Sequence, residues 1–305
     1  MKNSFKMIID TDCGIDDAIT IITAIKYGID VVGITTVSGN VNVDQVTDNV
    51  LRILHFLKKD DIPVFKGAYR PYVSLNSTPA KIHGNNGIGD VVLEAPYKTY
   101  NDEPAPYAIY KLAKEAGNVI LLTLGPLTNV AMALNLYPDL PKYISKIVAM
   151  GGAVNVGNVT RFAEFNFFFD PEAAEFVLRQ GIPIHLVPWD PVVATPIFET
   201  ELKETFKEEE GNLILNMEKS VMDFVEKARG IRAVFLPDPM ALATFLDKEI
   251  IKYKINSALH MELSHGSLLR GASLVGEGSG IDIVMEVDKT RFLNFFKNIF
   301  KGGKE

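Results

Sequence analysis

The chain carries a single cysteine, Cys13, in 305 residues. One thiol excludes an intramolecular disulfide and a cysteine-built zinc cage, and agrees with a reducing compartment. A basic excess is also missing: 31 Lys and Arg stand against 38 Asp and Glu, for a net charge of -7. With no Lys/Arg stripe interleaved with aromatics, nucleic acid is not an expected partner. Long apolar runs are absent too. The run Met7-Ile8-Ile9 after Lys2 and Lys6 stops at Asp10, far short of a signal-peptide core or a membrane span, so the expected location is the cytoplasm, away from membranes. No repeat, low-complexity tract or long Pro/Ser linker divides the chain, which reads as one domain over residues 1–305.

What is present is an alternation of short Ile/Val-rich runs with longer segments of helical period. Lys6–Asp10 precedes Asp16–Tyr27, Val31–Val37 precedes Val43–Lys58, and Val119–Leu124 precedes Leu127–Leu136. Runs apolar throughout, alternating with helices, mark βαβ units around a mostly parallel sheet covered on both faces. Ile147–Met150 and Ile184–Pro188 read as further strands; Pro171–Arg179 and the acidic stretch Glu199–Lys227 read as helical. The tail differs: Ile255–Leu263, Ser267–Val275 and Ile281–Val287 read as successive strands, closed by a helix over Thr290–Phe300. The expected fold is α/β, an open, mostly parallel, Rossmann-like sheet flanked by helices, with a small antiparallel extension near the C-terminus. Gly67–Pro106, rich in Pro, Gly and Asn, reads as a long loop of the kind that serves as a lid.

Chemistry concentrates in Asp10-Thr11-Asp12-Cys13-Gly14-Ile15-Asp16-Asp17. Asp10 and Asp12 are two residues apart at a strand end and share a side in extended backbone. Asp16 and Asp17 fall in the first turn of the next helix, where a carboxylate can simply cap free N–H groups. Capping explains one acid, not four. Four carboxylates at the carboxyl end of a buried strand repel one another unless protons or a cation intervene. An all-oxygen, flexible donor set suits calcium better than magnesium, and either better than zinc.

The segment Asp10-Thr11-Asp12-Cys13-Gly14-Ile15-Asp16-Asp17-Ala18 resembles the amino-terminal fingerprint of the inosine-uridine nucleoside hydrolase family. The resemblance continues through Val37-Ser38-Gly39-Asn40, His83-Gly84 with Gly87, and Leu124-Gly125-Pro126-Leu127-Thr128-Asn129. It extends over Met150-Gly151-Gly152, Ala163-Glu164-Phe165-Asn166, Asp170-Pro171-Glu172-Ala173 and Asp238-Pro239. It implies hydrolysis of the N-glycosidic bond of a ribonucleoside and a calcium ion held by Asp12, Asp17, the Leu124 main-chain carbonyl and Asp238. Asp12 would act as general base toward a water on that ion, with Asp10 supporting the cluster. Asp16, Asn40 and Asn166 would hold the ribose 2′ and 3′ hydroxyls, Asn158 and Glu164 the 5′-hydroxyl, and His83 would meet the base. A homodimer or homotetramer is implied as well.

Two positions depart from the family pattern. Cys13 stands where the fingerprint usually has proline, and Pro237 stands where many members carry His or Trp before the late aspartate. Pro237 can neither protonate a leaving base nor stack on it. His83, Arg229, Arg232 and Cys13 are the remaining candidates, although a thiol beside carboxylates is poorly disposed to ionise. Bland alternatives stand beside these: a lone Asn in a Gly-Asn pair is commonly a turn residue, and an arginine at a helix end is commonly a solvated charge. Pro237 also keeps open a non-catalytic nucleoside or ribose binder, and Asp10-Thr11-Asp12 a magnesium-dependent phosphatase of the haloacid dehalogenase type.

Overall fold

The computed structural model describes residues 5–73 and 81–300. The first half runs β1 (Lys6–Thr11), α1 (Ile15–Tyr27), β2 (Asp30–Thr36), α2 (Val43–Phe56), β3 (Val64–Lys66), α3 (Ala105–Ala116), β4 (Val119–Thr123), α4 (Thr128–Leu136) and β5 (Ile144–Met150). Then come α5 (Phe165–Phe169), α6 (Pro171–Leu178), β6 (Ile184–Val187), α7 (Trp189–Val193) and β7 (Ile197–Phe198). Helices α8 (Glu199–Thr205), α9 (Glu208–Met217) and α10 (Lys219–Arg229) lead to β8 (Ala233–Val234) and α11 (Pro237–Leu246). The chain closes through β9 (Ile251–Met261), β10 (Ser273–Val287) and α12 (Lys289–Phe300).

Eight strands form one sheet in the order β3-β2-β1-β4-β5-β6-β10-β9. All neighbours are parallel except the edge pair β9 and β10. Alternate residues of β1 feed opposite layers: Met7 and Ile9 pack with α1, α2 and α11, whereas Ile8 packs with α3 and α4. Burial on both faces is why these strands read as continuous apolar runs. The order turns back at β1, which lies between β2 and β4. The carboxyl end of β1 is therefore a switch point, where open α/β sheets form their ligand crevice. No helix among the described residues is long and apolar enough to cross a membrane.

The parallel sheet and its antiparallel edge agree with the sequence reading; several boundaries do not. The stretch Glu199–Lys227 is three helices, because Phe206 leaves helical geometry to bury its ring against Phe296 and Phe300. The tail holds two strands rather than three. Ser267 to Gly271 forms turns in which Arg270 donates to Ser267, and the strand begins only at Ser273. From there β10 runs unbroken past Gly276–Gly280, where its register to β9 shifts and its apolar pattern lapses. The short strands β3, β7 and β8 and the helices α3, α5, α7 and α11 have no counterpart in the sequence reading. Of the suspected lid at Gly67–Pro106, residues 74–80 lie outside the described residues; Lys81–His83 forms a single 3-10 turn and Ala105 opens α3.

One buried side chain ties these elements together beneath the crevice. Asn129 donates to Asp10 Oδ1 at 2.8 Å and to the Thr36 carbonyl at 2.9 Å, and accepts from Ala68 N–H at 2.9 Å. Replacing it with alanine removes three hydrogen bonds, two of them to buried partners, so Asn129→Ala is expected to cost about 2–4 kcal/mol in urea unfolding. A loss below about 0.5 kcal/mol would show that the network carries no net stability.

Candidate active site

The cluster follows from how β1 ends. Thr11 closes the strand, Cys13 turns in the left-handed region at φ 34°, and Gly14 starts α1. Non-glycine residues rarely adopt that conformation, and such strain gathers at functional sites. Thr11 Oγ1 donates to Asp17 Oδ1 and takes the Cys13 N–H at 3.0 Å, while Gly14 N–H reaches Asp17 Oδ2 at 2.8 Å. Asp17 is thus capped and aimed in one arrangement. Asp10 points toward β2, accepting from Thr35 Oγ1 at 2.6 Å as well as from Asn129. It lies beneath the cluster as a support.

Asp12 is fully buried, with Oδ2 accepting Asn40 N–H at 2.7 Å and Oδ1 without a hydrogen-bond partner among the described residues. Two glycines make its space: a Cβ on Gly39 would fall 2.0 Å from Asp12 Oδ2, and one on Gly125 would fall 2.9 Å from Asp12 N. Asp238 enters from the first turn of α11, directly after Pro237 at the helix start. Its Oδ1 and that of Asp16 are likewise buried, with no hydrogen-bond partner among the described residues. Asp16, Asp17 and Asp238 each bring a carboxylate oxygen within 4.8 Å of the others. Asn166 donates to the Leu124 carbonyl at 2.7 Å, placing that oxygen beside the only side-chain amide on α5.

Burial first, and then mutual repulsion, hold these acids up. Asp12 sits well above the ordinary carboxylate range through burial and the charges of Asp17 and Asp16, and Asp238 through burial and the charges of Asp16, Asp17 and Asp12. Burial raises Asp10 from 3.8 to about 7, and Asp16 and Asp17 to about 6. Orphaned, buried, like-charged oxygens converging at a switch point fit a hard divalent cation. The same field works on Cys13, whose thiol is pushed up by burial and by Asp17, Asp12, Asp16 and Asp238. That shift disfavours the thiolate, the form a nucleophilic cysteine needs.

The linkage has a definite sign. Carboxyls whose folded pKa is raised bind protons in the native state, so metal-free stability falls as pH climbs from about 4 to about 7, through the values of Asp10, Asp16 and Asp17. A cation needs those groups ionised and reverses the trend. The thermal midpoint of chelated protein is expected to drop between pH 5 and pH 8, and the rise on adding calcium to grow over the same range. A calcium effect largest at pH 5 would contradict this.

The remaining sequence candidates divide. His83 comes to the cluster: its Nδ1 accepts Ile15 N–H at 3.1 Å and lies 3.7 Å from Asp16 Oδ1. Burial lowers its pKa, so the ring is neutral with its proton on Nε2. Asn40 also converges there, since a Cβ on Gly14 would lie 2.6 Å from Asn40 Nδ2 and 3.0 Å from His83 Nδ1. Glu164 stands just ahead of the short helix Phe165–Phe169, which carries Asn166 in its first turn. Glu164 caps that helix, accepting from Asn166 and Phe167, and from Gly152 at 2.7 Å. Burial raises it to about 7. Asn158 is exposed and holds Phe165 N–H at 2.9 Å. Arg232 is engaged by Glu199, Asp223 and Glu226, and Arg229 stacks over Phe235, which are the ordinary roles of surface arginines.

One residue escaped the sequence reading. Glu218, at the α9–α10 junction, is 1% exposed, leaves Oε2 unpartnered, and is raised by burial and by the charge of Asp16. Its signal was available: it interrupts the apolar stripe Ile214, Met217, Val221, Met222, Val225. The acids Glu208, Glu209 and Glu210 just before it give the same stretch the look of a solvated face, although of these only Glu208 and Glu209 are exposed.

Fold and site together define an α/β enzyme whose carboxylates gather at the carboxyl ends of parallel strands. A family model described as inosine-uridine preferring nucleoside hydrolase matches residues 7–294, and the chain belongs to that family. It is accordingly a hydrolase of N-glycosyl bonds. The chain is 32% identical to the pyrimidine-specific ribonucleoside hydrolase RihA of Salmonella arizonae over 97% of its length and 98% of the relative's. Among solved structures, the plant nucleoside hydrolase PpNRh1 superposes with a TM-score of 0.92 at 27% identity, covering 99% of this chain and 100% of that one. A purine-preferring ribonucleoside hydrolase from Gardnerella vaginalis gives 0.90 at 29% identity, covering 97% and 98%.

Proposed function

We propose that the protein cleaves ribonucleosides to ribose and free base, with Asp12 as general base and calcium held by Asp12, Asp17, the Leu124 carbonyl and Asp238. The observation that carries this reading is a cluster of buried carboxylates at the β1 switch point: oxygens of Asp16, Asp17 and Asp238 lie within 4.8 Å of one another, and Asp12, whose carboxyl feels the charges of Asp17 and Asp16, has an Oδ1 with no hydrogen-bond partner among the described residues. When bound, the cation would supply a charge that acidifies a nearby water and orders the sugar hydroxyls.

The side chains divide the rest of the work. Asp12 has one oxygen fixed by Asn40 N–H and the other free to accept a proton as the anomeric carbon is attacked. Asp16, with its free Oδ1, accepts from a ribose hydroxyl, and Asn40 and Asn166 complete the sugar contacts. Asn158 and Glu164 lie toward the 5′ end, where Glu164 keeps one face of its carboxyl after capping α5. Neutral His83 presents Nε2–H to the leaving base, a task for which Pro237, buried at the start of α11, offers no group.

The relatives named above include a pyrimidine-specific and a purine-preferring enzyme, so the test needs both base classes. Incubation with inosine, adenosine, uridine and cytidine, read by reducing sugar and by chromatography of the base, is expected to show stoichiometric ribose and base from at least one. Release from none, with calcium supplied, would favour the nucleoside-binder reading.

A further inference from the structure

At the amino-terminal ends of β5 and β6, on the rim opposite the aspartates, lies a second cavity of about 300 Å³. Lys146, Lys248, Lys252 and Lys254 line it, against one carboxylate, Asp282. The chain as a whole is acidic at -7, so this recess reverses the local sign. Two of the lysines are partly neutralised, Lys254 by Asp282 at 3.0 Å and Lys252 by Asp288 at 3.6 Å. Lys146 and Lys248 make no ion pair among the described residues.

The floor is built rather than open. His185 is 6% exposed and Thr244 fully buried. Thr244 Oγ1 donates to the Met240 carbonyl at 2.7 Å and so accepts the His185 Nε2 proton at 2.9 Å. Burial, together with Lys146, Lys254 and Lys248 and against Asp282, pulls the imidazole down to about 4. The lysine charges are felt at the floor itself. Phe245, Ile251 and Tyr253 supply apolar walls.

We propose that this recess binds a phosphate-bearing small molecule. Two unpaired ammonium groups match a phosphate dianion in charge, and lysines bind phosphate as compact point charges. The apolar walls leave room for an organic body, and the volume is in the range of small-ligand sites. The cavity shares α11 with the aspartate cluster: Thr244 and Phe245 lie near that helix's end and Asp238 in its first turn.

Calorimetric titration of the full chain with inorganic phosphate and with phenyl phosphate, at matched ionic strength, tests it. Saturable binding is expected, weakened at least tenfold in the combined Lys146→Gln, Lys248→Gln variant, whose anion-free thermal midpoint should match the parent. The His185 ring resonances should move with phosphate in the parent and stay fixed in the variant. Tighter binding of phenyl phosphate assigns an organic phosphate, and equal binding assigns free phosphate. No saturable binding of either, or the same affinity in the variant, overturns the proposal.

Discussion

Asp12→Asn is expected to lower ribose release by about 10²–10⁴-fold, the range attributable to a positioned general base. The substitution keeps shape and an acceptor for Asn40 N–H but removes the carboxylate oxygen that has no partner among the described residues, the one proposed to accept the proton. It also removes one of several buried like charges, since Asp17 and Asp16 both push Asp12 up. Metal-free thermal stability should therefore hold or rise while activity collapses, which separates lost chemistry from lost fold. Turnover within tenfold of the parent would remove Asp12 from the base role.

Asp16→Asn is expected to cost about 1.5–3 kcal/mol in transition-state binding, roughly 10–150-fold in kcat/KM, by weakening a charged hydrogen bond to the sugar. Asp16 is where the sequence-based assignment and the geometry pull apart. The resemblance gives it to the ribose, yet its oxygen lies within 4.8 Å of those of Asp17 and Asp238. Calcium affinity decides between the two. A ribose contact leaves it within a few-fold of the parent, whereas a drop of tenfold or more with kcat/KM would make Asp16 a metal ligand.

Much of this was legible in the sequence because it rests on local patterns. Ile/Val runs buried on both faces mark parallel strands, and acids at a strand end followed by glycine mark the β1–α1 turn. Contacts between distant segments were not legible. Asn129 reaching Asp10 and Ala68, and Glu218 coming close to Asp16, depend on packing between distant segments; the helical period shows at most that Glu218 faces inward, not what it meets. The part Glu164 plays is likewise set by the fold, since the segment after it is helical and the acid is its cap. The split assigned to β10 has a similar cause, since Gly276–Gly280 breaks the apolar pattern without breaking the strand.

The most direct test of the central claim is ribose release from a ribonucleoside the protein accepts, measured on chelator-treated protein before and after calcium is restored. The account predicts loss of activity on chelation and recovery with calcium, with no recovery in Asp238→Asn. Full activity in excess chelator would contradict it, because the buried aspartates would then be doing their work without a cation.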